Sequence, residues 1–369
     1  VTAAIMPQLK VVAHEPTEYG WRGLTDDGSV LEVKSTNGHR ASVPDEVLSQ
    51  PPWPVTVSDY LARFDRVVTL YKDGKIAEAL AASDALVDCA PTLRARFNRA
   101  MVALAAGRWH EGFDEYWECE LSAPFMRPEI KAALDAGLKP WNGEDLHGKK
   151  LLLIHAHGFG DTIMCLRYVP QLQDAVIQVP RELKRLAAQV GALGSDAEYF
   201  CPMLHLPRVL RIEPGDVTGE PYLAVEPFLR AQWRDALPRG RKVGVAWSIG
   251  KLSAGDFPRE IPLKELVAAL GDAKVYSVQA QGADEAAMAG VQTYPFADFA
   301  DCAAFMACMD QVVSVDTAAL HLAGATGHPN VVGLLSHWHS WRWLAPWYAN
   351  VQLVKQEAPD DWSSALEQL

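Results

Sequence analysis

Two short stretches of the chain carry side chains whose types and spacing could do chemistry together. The first, His157-Gly158-Phe159-Gly160-Asp161-Thr162, follows the apolar run Leu151 to Ala156 and leads into the helix-like IMCLRYVPQL. The second, Val312 to Pro329 (VVSVDTAALHLAGATGHP), passes from an apolar strand through Asp316 and Thr317 into a small-residue helical segment. A strand feeding a helix presents unpaired backbone N–H groups and the positive end of the helix dipole, so a diphosphate can be held there without a metal. Thr317 and His321 are four apart on one helical face, which puts a hydroxyl and an imidazole beside those amides. Gly158 and Gly160 let backbone amides come close to a ligand, and Asp161 stands where the first helix begins. Only one G-x-G is present there, so the dinucleotide fingerprint is incomplete. Each stretch also has a plainer reading: Asp316 and Asp161 as helix caps, His321 as a core histidine.

The elements that must position these residues follow from the order of the chain. With 369 residues and 49% hydrophobic content, it can bury large cores in two or three domains. Lys plus Arg total 34 against 46 Asp plus Glu, a net charge of −12. That balance argues against a broad nucleic-acid surface. No apolar stretch approaches the ~20 residues that span a bilayer, and the N-terminal VTAAIMPQLK lacks the apolar centre of a signal peptide. Six cysteines without a C-x-x-C pair read as buried thiols of a cytoplasmic protein.

Residues 1–50 hold β-like runs, LKVVAH and SVLEVKS, with turn signals at Asp27-Gly28 and Asn37-Gly38. Gln50 to Pro54 is a proline-stiffened linker. Over residues 55–135 the period becomes helical, with breaks at Gly74 and Gly107 and Pro91 between the two halves. This region resembles tetratricopeptide (TPR) repeats, in which a helix pair recurs about every 34 residues and leaves a groove for a partner segment. A plain helical bundle is the other reading. Strand-like and helix-like runs then alternate twice over, in 148–238 (LLLIHA, AVIQVP, EYFCPM) and in 240–369 (KVGVAW, KVYSVQ, VVSVD). Two Rossmann-like halves with mostly parallel sheets are predicted, with the ligand crevice at the carboxyl ends of the strands. The aromatic run at His337 to Trp343 and Ala345 to Tyr348 reads mainly as packing across a domain seam, with one ring stacking on a nucleobase or sugar as the other reading, and His337 with His339 gives a weak metal signal.

Six stretches, in order, resemble bacterial TPR proteins whose C-terminal half is a GT-B glycosyltransferase, related to the heptosyltransferases and more distantly to O-GlcNAc transferase. They are GRWHEGFDEYWE, LLLIHAHGFGDTIMCLRYVPQL, VGVAWS, REIPL, VVSVDTAALHLAGATGHP, and WRWLAPWY with Asp360-Asp361-Trp362, covering roughly Leu93 to Trp362. The resemblance implies an α/β GT-B fold preceded by an all-α TPR-like region; the small β-rich N-terminal segment, residues 1–50, lies outside it. It also implies roles by position. Asp161 falls on the proposed catalytic base. Asp316, Thr317 and His321 fall on the segment that binds the nucleotide diphosphate, with Ala318 where those enzymes usually carry Gly. Arg259 is the nearest match to a cation that contacts the diphosphate, and Lys251 is a second candidate. Relatives often read Glu-Gln-Gly-x-Gly-Asp at the first turn, whereas this chain has Ala156-His157-Gly158-Phe159-Gly160-Asp161. If that Glu contributes to acceptor activation, either His157 takes its place here or catalysis is weaker.

The implied reaction is an inverting sugar transfer from a nucleotide diphosphate sugar to a hydroxyl, with no cofactor. The chain contains no D-x-D triplet, so a metal-clamped leaving group is not expected. A protein acceptor such as a flagellin or adhesin, docked on the TPR-like region, is the first expectation, and a glycolipid or polysaccharide the second. A non-catalytic scaffold with a degenerate transferase domain is the alternative from another class. The sequence does not specify the sugar, the base or the oligomeric state.

Overall fold

The computed structural model describes residues 10–17, 20–34, 54–122, 124–249 and 258–369. The chain divides into two compact units, Val1–Arg127 and Pro128–Leu369. Asn37-Gly38 and most of the proline-rich linker lie outside the described residues.

In the first unit, strands β1 (Val11–Thr17), β2 (Gly20–Thr25) and β3 (Val30–Lys34) form an antiparallel sheet in that order. The turn between β2 and β3 holds Asp27 and Gly28, and Gly28 adopts the left-handed backbone (φ 90°) that glycine enters without steric cost. Four helices follow: α1 (Val57–Lys72), α2 (Ile76–Cys89), α3 (Leu93–Ala105) and α4 (Trp109–Glu120). Thr56 and Thr92 start α1 and α3, each accepting a backbone N–H on its hydroxyl. Gly74 and Gly107, both at positive φ, turn the chain after α1 and α3. Each helix packs on the next in sequence. The sheet does not stand apart from the helices, because Val12, Ala13 and Leu24 share a core with Val57, Tyr60 and Leu86. The β2–β3 turn also accepts the first N–H groups of α3, Leu93 N to Asp26 O at 3.0 Å and Arg94 N to Asp27 O at 3.1 Å.

The second unit opens with α5 (Pro128–Asp135), β4 (Lys139–Pro140), β5 (Leu151–Ile154) and α6 (Phe159–Cys165). It continues through β6 (Ala175–Gln178), α7 (Lys184–Ala187), β7 (Ala192–Leu193), β8 (Tyr199–Pro202), α8 (Leu206–Val209) and α9 (Pro227–Ala236). The five strands form a parallel sheet in the order β4-β8-β5-β6-β7. All four residues of β5 are buried, as expected for a strand covered on both faces.

A second parallel sheet, in the order β10-β9-β11-β12-β13, is built from the remaining chain. Its elements are β9 (Lys242–Ala246), α10 (Leu263–Ala269), β10 (Lys274–Ser277), α11 (Ala283–Met288), α12 (Phe299–Met306), β11 (Gln311–Val315), α13 (Ala318–Ala325), β12 (Val331–Leu335), β13 (Val351–Lys355) and α14 (Ser363–Leu366). Its core includes Val243, Val245, Trp247, Leu266, Val313 and Leu334. Each fully buried aliphatic side chain of this kind contributes about 1.5–3 kcal/mol over an exposed one. Strand order reverses beside β5 in the first sheet and beside β9 in the second. Such reversals place a crevice at the carboxyl ends of the central strands. Those ends carry His155 to Asp161 on one side and Asp316 to His321 on the other.

Among the described residues, no helix is long and apolar enough to cross a membrane.

Candidate active site

The first sheet delivers Asp161 through the turn that follows β5. Gly158 begins α6 in extended backbone (φ −68°, ψ 157°), and its N–H donates to Asp161 Oδ2 at 3.3 Å. Asp161 Oδ1 accepts from Arg342 Nε at 2.5 Å. Burial by itself would raise the Asp161 pKa, but the Arg342 guanidinium, with smaller help from His157 and His321, leaves it below the usual carboxylate range. His155 pairs through Nδ1 with Thr162 Oγ1 at 2.8 Å, which fixes the start of the helix. The His157 ring lies edge-on to the ring of His205, with centroids 5.7 Å apart, where β5 and β8 both end.

The second sheet delivers the facing residues through β11, which is buried along its whole length. Thr317, not Asp316, begins α13, its Oγ1 accepting the Ala319 N–H at 3.3 Å. Asp316 has a different task. It is 5% exposed, and Arg259 Nη1 donates both to its Oδ2 and to its backbone oxygen, each at 3.0 Å. Thr317 and Ala318 keep partial exposure while Ala319 to Ala325 are buried, so only the first residues of α13 face the crevice.

His321 is 3% exposed. Its Nδ1 pairs with Tyr348 Oη at 2.9 Å, and its ring stacks on Trp343 at 4.9 Å. Burial pushes its pKa down to about 4; Asp316 and Asp161 oppose that shift, and Arg342 and Arg167 add to it. His321 is therefore neutral near pH 7, able to hydrogen-bond an anion but not to neutralise one. The small residues of α13 admit this packing: a Cβ on Gly324 would stand 2.3 Å from the Tyr348 ring.

The two sets of residues meet directly. A Cβ on Gly160 would lie 2.7 Å from His321 Cδ2 and 3.5 Å from the Ala318 Cα, so α6 and α13 touch at a point only glycine allows. Further ties close the same seam. Arg167 Nη2 donates to the Trp347 oxygen at 2.5 Å, the Tyr222 N–H to the Ala325 oxygen at 3.0 Å, and Arg185 grips Asp298 with two bonds of 2.6 Å.

Of the residues expected from the sequence, Gly160, Asp161, Ala318 and His321 thus gather at one contact. Thr317 and Asp316 stand beside it with Arg259. Gly158 closes the turn that holds Asp161, and His157 lies on the first-sheet side. Lys251 lies outside the described residues. Sequence reasoning passed over Arg342, Tyr348 and His205. Arg342 carried a visible signal, a single cation among the tryptophans of WRWLAPWY, yet its partner lies 181 positions away.

No family model matches the chain. It is similar to Protein FlbA of Caulobacter vibrioides, at 26% identity over 344 residues, a match covering 76% of this chain and 57% of FlbA. The chain thus spans a little over half the length of that relative. Among solved structures it is similar to a glycosyl transferase family 9 protein from Veillonella parvula, with a TM-score of 0.41 and 11% identity over 58% of this chain and 88% of that one. A second is the ADP-heptose LPS heptosyltransferase II of E. coli, with a TM-score of 0.35 and 13% identity over 56% and 90%. Likenesses at that level carry no conclusion about chemistry. The two parallel sheets stand on the chain's own strand pairing.

Proposed function

We propose that the chain is a GT-B glycosyltransferase of heptosyltransferase type, moving a sugar with inversion from a nucleotide diphosphate sugar to a hydroxyl acceptor. One observation carries the reading: a carboxylate at the carboxyl end of one parallel sheet meets a strand-to-helix junction at the carboxyl end of another. The ordered sequence resemblance supports it.

In this reaction Asp161 takes the acceptor proton as the hydroxyl oxygen bonds to the anomeric carbon. The bond from that carbon to the diphosphate oxygen breaks, and its electron pair leaves with the nucleoside diphosphate. Attack from the face opposite the leaving group inverts the anomeric centre. The first amides of α13 and Thr317 Oγ1 hold the departing diphosphate, and neutral His321, packed behind them against Gly160 and Trp343, fixes α13 in place. Positive charge comes from Arg259, with Lys251 as a second cation. Chelators should leave transfer unchanged, since the chain has no D-x-D triplet to clamp a metal.

The acceptor is a protein whose extended segment docks on the TPR-like helices α1 to α4, and a glycolipid or polysaccharide intermediate is the other acceptor class. A scaffold without catalysis is favoured by one observation, the replacement of the relatives' Glu by Ala156. A mass-spectrometric screen of nucleotide diphosphate sugars against the host's surface proteins tests the reading. A mass gain of one sugar that Asp161→Asn abolishes supports it. Full transfer by Asp161→Ala removes the base assignment, and nucleotide binding without turnover on any donor favours the scaffold.

A further inference from the structure

The geometry points to a donor-operated latch. Arg342 holds the Asp161 carboxylate while the site is empty, then passes to the diphosphate when a nucleotide sugar binds, so that the base is unmasked only with the donor in place. This rests on the transferase reading of the site and adds an order of events to it.

Three features place Arg342 at this junction. Its Nε sits 2.5 Å from Asp161 Oδ1, across the seam between the two sheets, while Nη1 donates to Ser340 Oγ at 3.0 Å and the guanidinium lies 4.7 Å over the Trp341 ring. The same turn, Trp341–Leu344, carries Trp343, which stacks on His321 of α13. Arg342 therefore bonds the carboxylate directly, and the turn that carries it is tied to α13 through Trp343. Its side chain is 22% exposed and that of Asp161 13%, so an entering ligand can reach the pair.

Among the described residues, Arg342 is better placed than Arg259 to make such an exchange. His321 is buried and contributes no positive charge. Arg259 is anchored twice to Asp316 within one sheet, on the side chain and on the backbone, and Asp316 is almost sealed. Arg342 reaches its carboxylate partner, Asp161, in the other half. A guanidinium forks equally well onto carboxylate and phosphate oxygens, so trading one anion for another costs little geometry. The consequence is ordered binding, donor before acceptor, and protection of the donor: with Asp161 engaged, it cannot take a proton from a stray water or hydroxyl.

Calorimetric titration of UDP, ADP, GDP and CDP into the full chain tests the latch. Asp161→Asn removes the charge that competes for Arg342 and should tighten the preferred nucleotide by roughly fivefold or more. Arg342→Ala should weaken it by a similar factor, and in the Asp161→Asn, Arg342→Ala double variant the gain from Asp161→Asn should vanish. A lost packing contact does not make binding tighter, and relief of charge repulsion alone would persist without Arg342, so tightening by Asp161→Asn that disappears in the double variant marks the latch. Arg342→Gln replaces Arg342→Ala in the cycle if the latter fails to fold. Wild-type binding that Asp161→Asn leaves unchanged or weakens overturns the latch and leaves the transferase reading standing. No binding of any of the four to the wild type and Asp161→Asn overturns both.

Discussion

Gly160 and His321 touch so closely that a single methyl group on Gly160 would overlap the imidazole, standing 2.7 Å from Cδ2. The ring cannot retreat, because Trp343 is stacked on it and Tyr348 holds its Nδ1. Gly160→Ala should therefore destabilise the protein by about 1–3 kcal/mol through overpacking, read as a lower urea midpoint. Nucleotide affinity should fall with it, since α13 must shift to admit the methyl.

Acid should weaken the fold through His321 before it reaches the carboxylates. Its folded pKa of about 4 lies below the unfolded value of ~6.5, so the unfolded chain takes up a proton first. The stability that depends on a neutral ring is fully present above pH ~6.5 and is lost as pH falls toward 4, by roughly 3 kcal/mol in all. His328 and His339 are lowered by burial with the same sign. Asp161, also lowered, loses its contribution only as pH falls below the ordinary carboxylate range. Urea unfolding of wild type and His321→Asn at pH 7 and pH 5 should show a clearly smaller pH effect in the variant. Equal pH effects would place the sensitivity elsewhere.

The two strand-to-helix junctions were legible because burial writes itself into sequence. LLLIHA and VVSVD are continuous apolar runs, and glycine, Asp and Thr mark the helix starts that follow. The cap was harder to read, since Asp and Thr are both good caps. Only the depth of Asp316 and its arginine show that Thr317 does the capping. β12 and β13 complete the second sheet without having been singled out, and β2, with glycine at both Gly20 and Gly23, carries too weak a pattern. Arg342 lay beyond reach for another reason: its meaning comes from Asp161 in the other half, and sequence spacing carries no record of that pairing.

Arg259→Ala should leave the Asp316 carboxylate buried with its main partner gone. Removing one member of a fully buried pair costs about 3–5 kcal/mol; because Arg259 is 26% exposed, about 2–3 kcal/mol is expected here. Asp316→Asn in the same background should restore part of the loss. Thermal unfolding of the single and double variants measures both effects.

Asp298 should matter more than its partner Arg185. The carboxylate accepts both arginine bonds and also caps α12 through the Asp301 N–H at 3.0 Å, whereas Arg185 is 37% exposed. Arg185→Ala should cost about 1 kcal/mol or less, and Asp298→Ala about 1–2 kcal/mol more for the lost cap. Equal unfolding midpoints for the two variants would show that the cap contributes nothing.

The most direct test of the central claim is a crystal structure of the full chain with the nucleoside diphosphate it binds best. The diphosphate oxygens are predicted within hydrogen-bond distance of the first amides of α13 and of Thr317 Oγ1, on the side facing Asp161. Nucleotide bound anywhere else on the chain, with the start of α13 unoccupied, would contradict the account.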